Sequence, residues 1–138
     1  MSADMSPILI IGAGPTGLSL AIALRQRGAR VIVIDRQPHG ANTSRAAVIH
    51  ARTLQVLEQL GVTAKLLEEG IIVPKFRVRD RDRLLFDIDF GELPGRYPFT
   101  LMLPQEQTEA ILRARLREVG VEVRWSTELD IVDQQGDR

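Results

Sequence analysis

The chain has no cysteine. That removes a disulfide framework, a thiolate metal site and a cysteine nucleophile, and it suits a reducing compartment. It also lacks an excess of either charge. Eighteen lysines and arginines balance 18 aspartates and glutamates, so no net field draws it to nucleic acid or to an anionic membrane. Long hydrophobic runs are missing as well: the apolar stretches at 8–11 and 31–34 fall far short of the ~20 residues that cross a bilayer. Met1 to Ser6 hold no basic leader and no small-residue cleavage site, so the chain reads as cytoplasmic. Internal repeats and low-complexity segments are absent. What remains is ordinary for one globular domain: 138 residues, 44% apolar and 26% charged.

The apolar pattern organises that domain. Pro7 to Ile11 is continuous, apolar and rich in β-branched residues, as a strand buried on both faces would be. From Thr16 to Arg27, Leu18, Ala21, Ile22 and Leu24 recur at helical spacing, and Gly28 closes the helix. Val31 to Ile34 is a second apolar strand, so the first segment predicts a parallel βαβ unit. A loop over 36–44 precedes a helix from about Ala51 to Leu60, with Leu54, Val56, Leu57 and Leu60 inward. A shorter helix covers 64–69. Between Lys75 and Phe90 the period falls to two, which predicts a hairpin of half-exposed strands turning at Asp80-Arg81-Asp82. Phe99 to Leu103 reads as a strand. Pro104 opens a helix with Thr108, Ile111, Leu112, the stem of Arg115, Leu116 and Val119 inward. Val121, Val123 and Trp125 share one face of a further strand, and Ile131-Val132 begins another. A new strand start followed at once by Gln134 to Arg138 suggests the N-terminal portion of a longer protein.

One motif carries chemistry. Gly12-Ala13-Gly14-Pro15-Thr16-Gly17 lies between the first strand and the first helix, where a dinucleotide pyrophosphate is held. Gly12 permits the tight turn, Gly14 lets a phosphate approach the backbone, and Gly17 allows close packing of helix on sheet. The first N–H groups of a helix have no intrahelical partners, and the helix dipole favours an anion there. Pro15 removes a donor that would otherwise need a partner. Asp35 ends the second strand near the roughly 20-residue spacing at which an acid accepts hydrogen bonds from a ribose diol. A carboxylate there repels a 2′-phosphate, which disfavours NADP in this pocket. These features alone leave FAD and NAD both open.

Two further segments bear on that choice. Asn42-Thr43-Ser44-Arg45-Ala46-Ala47-Val48-Ile49-His50-Ala51-Arg52-Thr53-Leu54 resembles the stretch after the second strand in flavin-dependent aromatic hydroxylases of the p-hydroxybenzoate hydroxylase type, the class A FAD monooxygenases. Leu103-Pro104-Gln105-Glu106-Gln107-Thr108-Glu109, with the helix to Gly120 and Val121-Glu122-Val123, resembles a second stretch of the same family. The resemblance implies an α/β fold: a Rossmann-like βαβ FAD-binding domain over residues 1–138, with a parallel sheet and an inserted β-hairpin, incomplete as the N-terminal fragment of a larger fold. It implies that Arg45 lies against the FAD pyrophosphate and ribityl chain, and that Gln105 hydrogen-bonds the cofactor nearby. Asp35 would hold the adenosine ribose where many members have glutamate, and Arg36 would sit beside the adenine. Gly12, Ala13, Gly14, Pro15, Thr16 and Gly17 complete the expected set.

Such enzymes reduce FAD with NAD(P)H and use O2 to hydroxylate a small aromatic molecule, so an aromatic or polyketide-like substrate is implied for the full-length enzyme. The family's later Gly-Asp motif and substrate sheet do not occur in these 138 residues, so the chain is expected to be inactive alone, and no catalytic residue and no metal ligand is assigned. An NAD-dependent dehydrogenase fragment and a non-catalytic nucleotide-binding module remain the alternatives. His39 and His50 have no paired acid, the alternating charges over 77–83 suit a solvated hairpin tip, and Trp125 suits packing. Neither a nucleic-acid nor a membrane partner is expected, and nothing indicates the oligomeric state.

Overall fold

Residues 6–40 and 47–134 are described by a computed structural model of the chain. Its first sheet grows from the two apolar runs. Ile8–Ile11 (β1) and Val31–Ile34 (β2) pair in parallel, from Ile8 opposite Val31 to Ile11 opposite Ile34. Helix α1, Pro15–Gln26, makes the crossover and buries Leu18, Ala21 and Ile22. Val123–Arg124, the last strand (β8), lies parallel to β2 on its other side, which gives the order β1-β2-β8. Among the described residues β1 is therefore an edge, and only Ile10 of its four residues is buried. Burial on both faces, expected from the apolar run, holds at Val33 but not along β1.

A second sheet was not legible in the sequence. Val48–Ile49 (β3) and Ile71–Val73 (β4) both pair antiparallel with Thr100–Met102 (β7), which lies between them. Strands of two or three residues are too short for period-two alternation to register. Between β3 and β4 run α2, Ala51–Gln59, and α3, Thr63–Glu69. Thr63 Oγ1 donates to the Leu54 carbonyl at 2.7 Å, which satisfies a buried hydroxyl and joins the two helices. Helix α4, Gln105–Glu118, packs on α1, and its Leu112 and Leu116 join Leu18, Ile22, Leu54, Leu66 and Leu101 in one core. Arg115 behaves as its amphipathic stem suggests, with its Nε donating to the Leu60 carbonyl at the end of α2 at 2.9 Å. Trp125 packs against the same core, as expected.

Three expectations need correction. Val56 does not face inward; it is 45% exposed and lines a cavity described below. The hairpin is real, β5 over Lys75–Asp80 and β6 over Arg83–Asp89, but only Val78 is even half-buried. Its pairing places Phe76 opposite Ile88 and Val78 opposite Phe86, while Lys75–Asp89 and Arg77–Asp87 form ion pairs at 2.7 and 3.0 Å. A two-stranded ribbon that no second layer covers among the described residues cannot bury its apolar face. Finally, Ile131 and Val132 form no strand and are exposed, because among the described residues no neighbour offers them a ladder.

Candidate functional site

The glycine turn joins β1 to α1 as its spacing requires. Gly12 N–H donates to the Ile34 carbonyl at 2.8 Å, which extends the β1–β2 ladder into the turn. Gly12 has φ +102°, a region that L side chains rarely adopt. Gly17 is constrained by space: a Cβ there would lie 2.0 Å from the Gly12 carbonyl oxygen and 3.3 Å from Ile10 Cγ2. The close contact is thus with the turn itself as well as with the sheet. At Gly14 a Cβ would meet nothing within 4 Å. Gly14 is the N-cap of α1, with φ −76° and ψ −179°. No side chain caps the helix, Pro15 follows, and the first turn contains no acid. The positive end of α1 is therefore left without a side-chain cap and without an acid in its first turn. An open backbone cradle, an uncapped helix end and an adjacent acid are the features a dinucleotide requires, so the residues present fit FAD.

Asp35 follows β2, and its carboxylate reaches back to the turn. Oδ2 accepts from Ala13 N–H at 2.7 Å and Oδ1 from Gln37 N–H at 2.8 Å. Its own N–H donates to Arg124, and its carbonyl accepts from Thr127 N–H at 2.9 Å. The acid therefore ties the turn to the ends of β2 and β8, a structural task that its position in the sequence did not disclose. Each carboxylate oxygen keeps capacity for another donor. Beside it lies a cavity of about 380 Å³ lined by Ile11, Gly12, Asp35, Arg36, Thr127, Glu128 and Leu129. Arg36 also lines this cavity. Thr127, Glu128 and Leu129 were missed, and no local signal marks them; the pairing of β8 beside β2 brings them there.

A second cavity, about 310 Å³ and mainly apolar, opens where α1 and α4 begin. Pro15 and Thr16 line it with Gln105, Thr108, Val48, Ile49, Val56 and Leu103 among others. The structure thus brings Gln105 to the glycine turn, although the two are far apart in sequence. Gln105 does not stand free: its Nε2 donates to Glu109 Oε1 at 2.9 Å. Glu109 is 95% buried, a position the sequence reading did not single out, and its Oε2 lies 3.5 Å from Arg113 Nη1. Arg45, expected at the pyrophosphate, falls outside the described residues, as do Asn42, Thr43, Ser44 and Ala46. His39 and His50 are exposed. Among the described residues no group of three or more His, Cys, Asp or Glu could hold a metal, and no helix is long and apolar enough to cross a membrane.

A parallel βαβ unit with this turn and an acid after β2 defines a dinucleotide-binding protein of the Rossmann-like class. Its relatives narrow the class. The FAD binding domain family matches residues 5–138, and the chain belongs to that family. 6-Methylpretetramide 4-monooxygenase of Streptomyces rimosus is 48% identical over 138 residues, covering 99% of this chain and 25% of that protein. Pentachlorophenol 4-monooxygenase of Sphingobium chlorophenolicum is 38% identical, covering 96% of this chain and again 25% of that protein. The crystal structure of p-nitrophenol 4-monooxygenase from Pseudomonas putida DLL-E4 superposes with a TM-score of 0.88 at 28% identity, over 96% of this chain and 35% of that one. Anhydrotetracycline hydroxylase from Streptomyces rimosus gives 0.83 at 34% identity, over 95% of this chain and 26% of its own. The chain therefore spans about a quarter of the length of the curated relatives it matches. Membership of the FAD family removes the reading as an NAD-dependent dehydrogenase.

Proposed function

We propose that Gly12 to Gly17, Asp35 and Arg36 hold the adenosine diphosphate part of FAD, with Arg45 and Gln105 reaching toward its pyrophosphate and ribityl chain. The observation that carries this is the start of α1, an uncapped and acid-free helix end at a glycine with open space beside it. Backbone N–H groups there suit the pyrophosphate. The spare acceptor capacity of Asp35 suits a ribose diol, and the cavity at Arg36 and Thr127 suits the adenosine. In the whole protein this unit serves a flavin-dependent monooxygenase that uses NAD(P)H and O2 on an aromatic or polyketide-like small molecule. The relatives named above, which act on a pretetramide and on chlorinated and nitrated phenols, support that reading. Bound FAD supplies the redox chemistry; the residues of this chain bind and orient it and exclude water around it. Because the 138 residues match only 25% of those enzymes, they are expected to bind the cofactor without completing hydroxylation.

Gly14→Asp tests the site with two effects of opposite sign. Aspartate is a favoured N-cap, the backbone at Gly14 is extended, and nothing obstructs a Cβ. The variant should be more stable by only a few tenths of a kcal/mol, because glycine is itself a tolerated N-cap. Its FAD affinity should fall at least about a hundredfold, because the new carboxylate takes the N–H groups and repels the pyrophosphate. Calorimetric melting and titration of flavin fluorescence read the two effects. Unchanged FAD affinity in the stabilised variant would sink the assignment.

A further inference from the structure

Three groups project at successive i, i+4 positions along one stripe of α4: Gln105, Glu109 and Arg113. Gln105 faces the cavity that Pro15 and Thr16 share. Glu109 sits behind it, with 7% of its side chain exposed, and accepts from Gln105 Nε2 at 2.9 Å. Arg113 closes the row at 3.5 Å from Glu109; its buried Nη1 makes no hydrogen bond among the described residues and lies against Gly40, where a Cβ would approach it to 2.4 Å. A buried carboxylate is costly, and one placed close to an anion site adds repulsion. Glu109 offsets that cost with the Gln105 hydrogen bond and the Arg113 charge beside it.

We infer that Glu109 is a positioning residue for cofactor binding that acts through Gln105, with Arg113 as its counter-charge. The reasoning is one of donor and acceptor inventory. A carboxylate only accepts, whereas a glutamine amide can present either its oxygen or its NH2 group. Facing Glu109, Gln105 must turn its NH2 group inward. That choice of flip leaves a defined pair for the cavity, the second hydrogen on Nε2 and the Oε1 oxygen. A ligand with both acceptors and hydroxyl donors, as a pyrophosphate joined to a polyol chain has, is matched by that pair. Without Glu109 the amide samples both flips, and part of its binding energy is spent on ordering. This inference rests on the FAD site proposed above.

The test is a double-mutant cycle on the intact 138-residue chain, read as the dissociation constant for FAD by fluorescence titration. Gln105→Ala should weaken binding about tenfold, as loss of a hydrogen bond to a charged group does. Glu109→Gln should weaken it about fivefold, since its amide no longer dictates the flip. The double variant should bind no more weakly than Gln105→Ala alone, because Glu109 has nothing left to position. Multiplicative losses in the double variant, or a Glu109→Gln affinity equal to wild type, would overturn the inference while leaving the FAD site standing. If the wild-type chain binds no FAD, the site and the inference fall together. A second readout needs no flavin. The Gln105 side-chain NH2 pair should be shifted in the 15N–1H spectrum of the wild type and return toward free glutamine values in Glu109→Gln. Should Glu109→Gln not fold, Glu109→Asp retracts the acceptor while keeping the charge, and the same cycle applies.

Discussion

The N-termini of α1 and α4 line one cavity, α1 through Pro15 and Thr16 and α4 through Gln105 and Thr108. They are built in opposite ways. The start of α1 is backbone: two glycines with no side chain, an N-cap without a capping bond, and no acid in the first turn. The start of α4 is side chain: Gln105 held by a buried acid, with Glu106 also in the first turn. One end suits an anion, and the other, with carboxylates nearby, suits an uncharged polar group. With the FAD site proposed above, the two ends would not compete for one ligand atom and would hold neighbouring parts of one long cofactor.

The largest effect expected from breaking this comparison lies in the α1 turn. Gly17→Ala would place a methyl group 2.0 Å from the Gly12 carbonyl, which backbone alone must accommodate. It should cost about 3 kcal/mol in urea unfolding and abolish FAD binding. Next comes the acid that braces the turn. Asp35→Asn sets an NH2 group against either Ala13 N–H or Gln37 N–H, because an amide has only one oxygen for the two donors. We expect a loss of about 2 kcal/mol and about tenfold in FAD affinity, measured by the same two methods. An Asp35→Asn variant with wild-type stability would show that the brace contributes nothing.

The smallest effect belongs to the hairpin, none of whose residues lines either cavity. Asp89 is held below its ordinary carboxylate range first by the hydrogen bond from Lys75 and then by Gly91 N–H. A depressed folded value means that the pair stabilises above the ordinary range and that this contribution is lost as pH falls through the folded value. Both partners are solvent-exposed, so the contribution is small and screened by salt. Lys75→Met should shift the melting midpoint by only about 1–2 °C at neutral pH and by less in acid, with FAD affinity unchanged. A large loss of flavin binding in that variant would tie the hairpin to the site.

How much was legible follows from the range of each interaction. β1, α1 and β2 appear nearly as read, because a buried run, a helical period and a closing glycine are local signals. The hairpin turn was also placed, yet its burial was overestimated: alternation reports which side chains share a face, not whether anything covers it. Val56 misled for a similar reason. Its helical spacing is right for an inward residue, but the wall opposite it recedes into a cavity. β3 and β4 gave no period to detect, and their pairing with β7 depends on segments widely separated in the chain.

For the site, the sequence by itself determined the glycine turn and the acid after β2. Their constraints are steric and lie within one βαβ unit: a positive φ at Gly12, no room for a Cβ at Gly17, an open N-cap at Gly14. The resemblance pointed to Gln105, but only the tertiary structure decided that it lines one cavity with Pro15 and Thr16. The i, i+4 spacing of Gln105 and Glu109 is local, but only the tertiary structure buries Glu109. Only the β2–β8 pairing brought Thr127, Glu128 and Leu129 to Asp35. Periodicity reports the neighbours of a residue along its own element. Which distant element faces it is set by how the layers close over a common core.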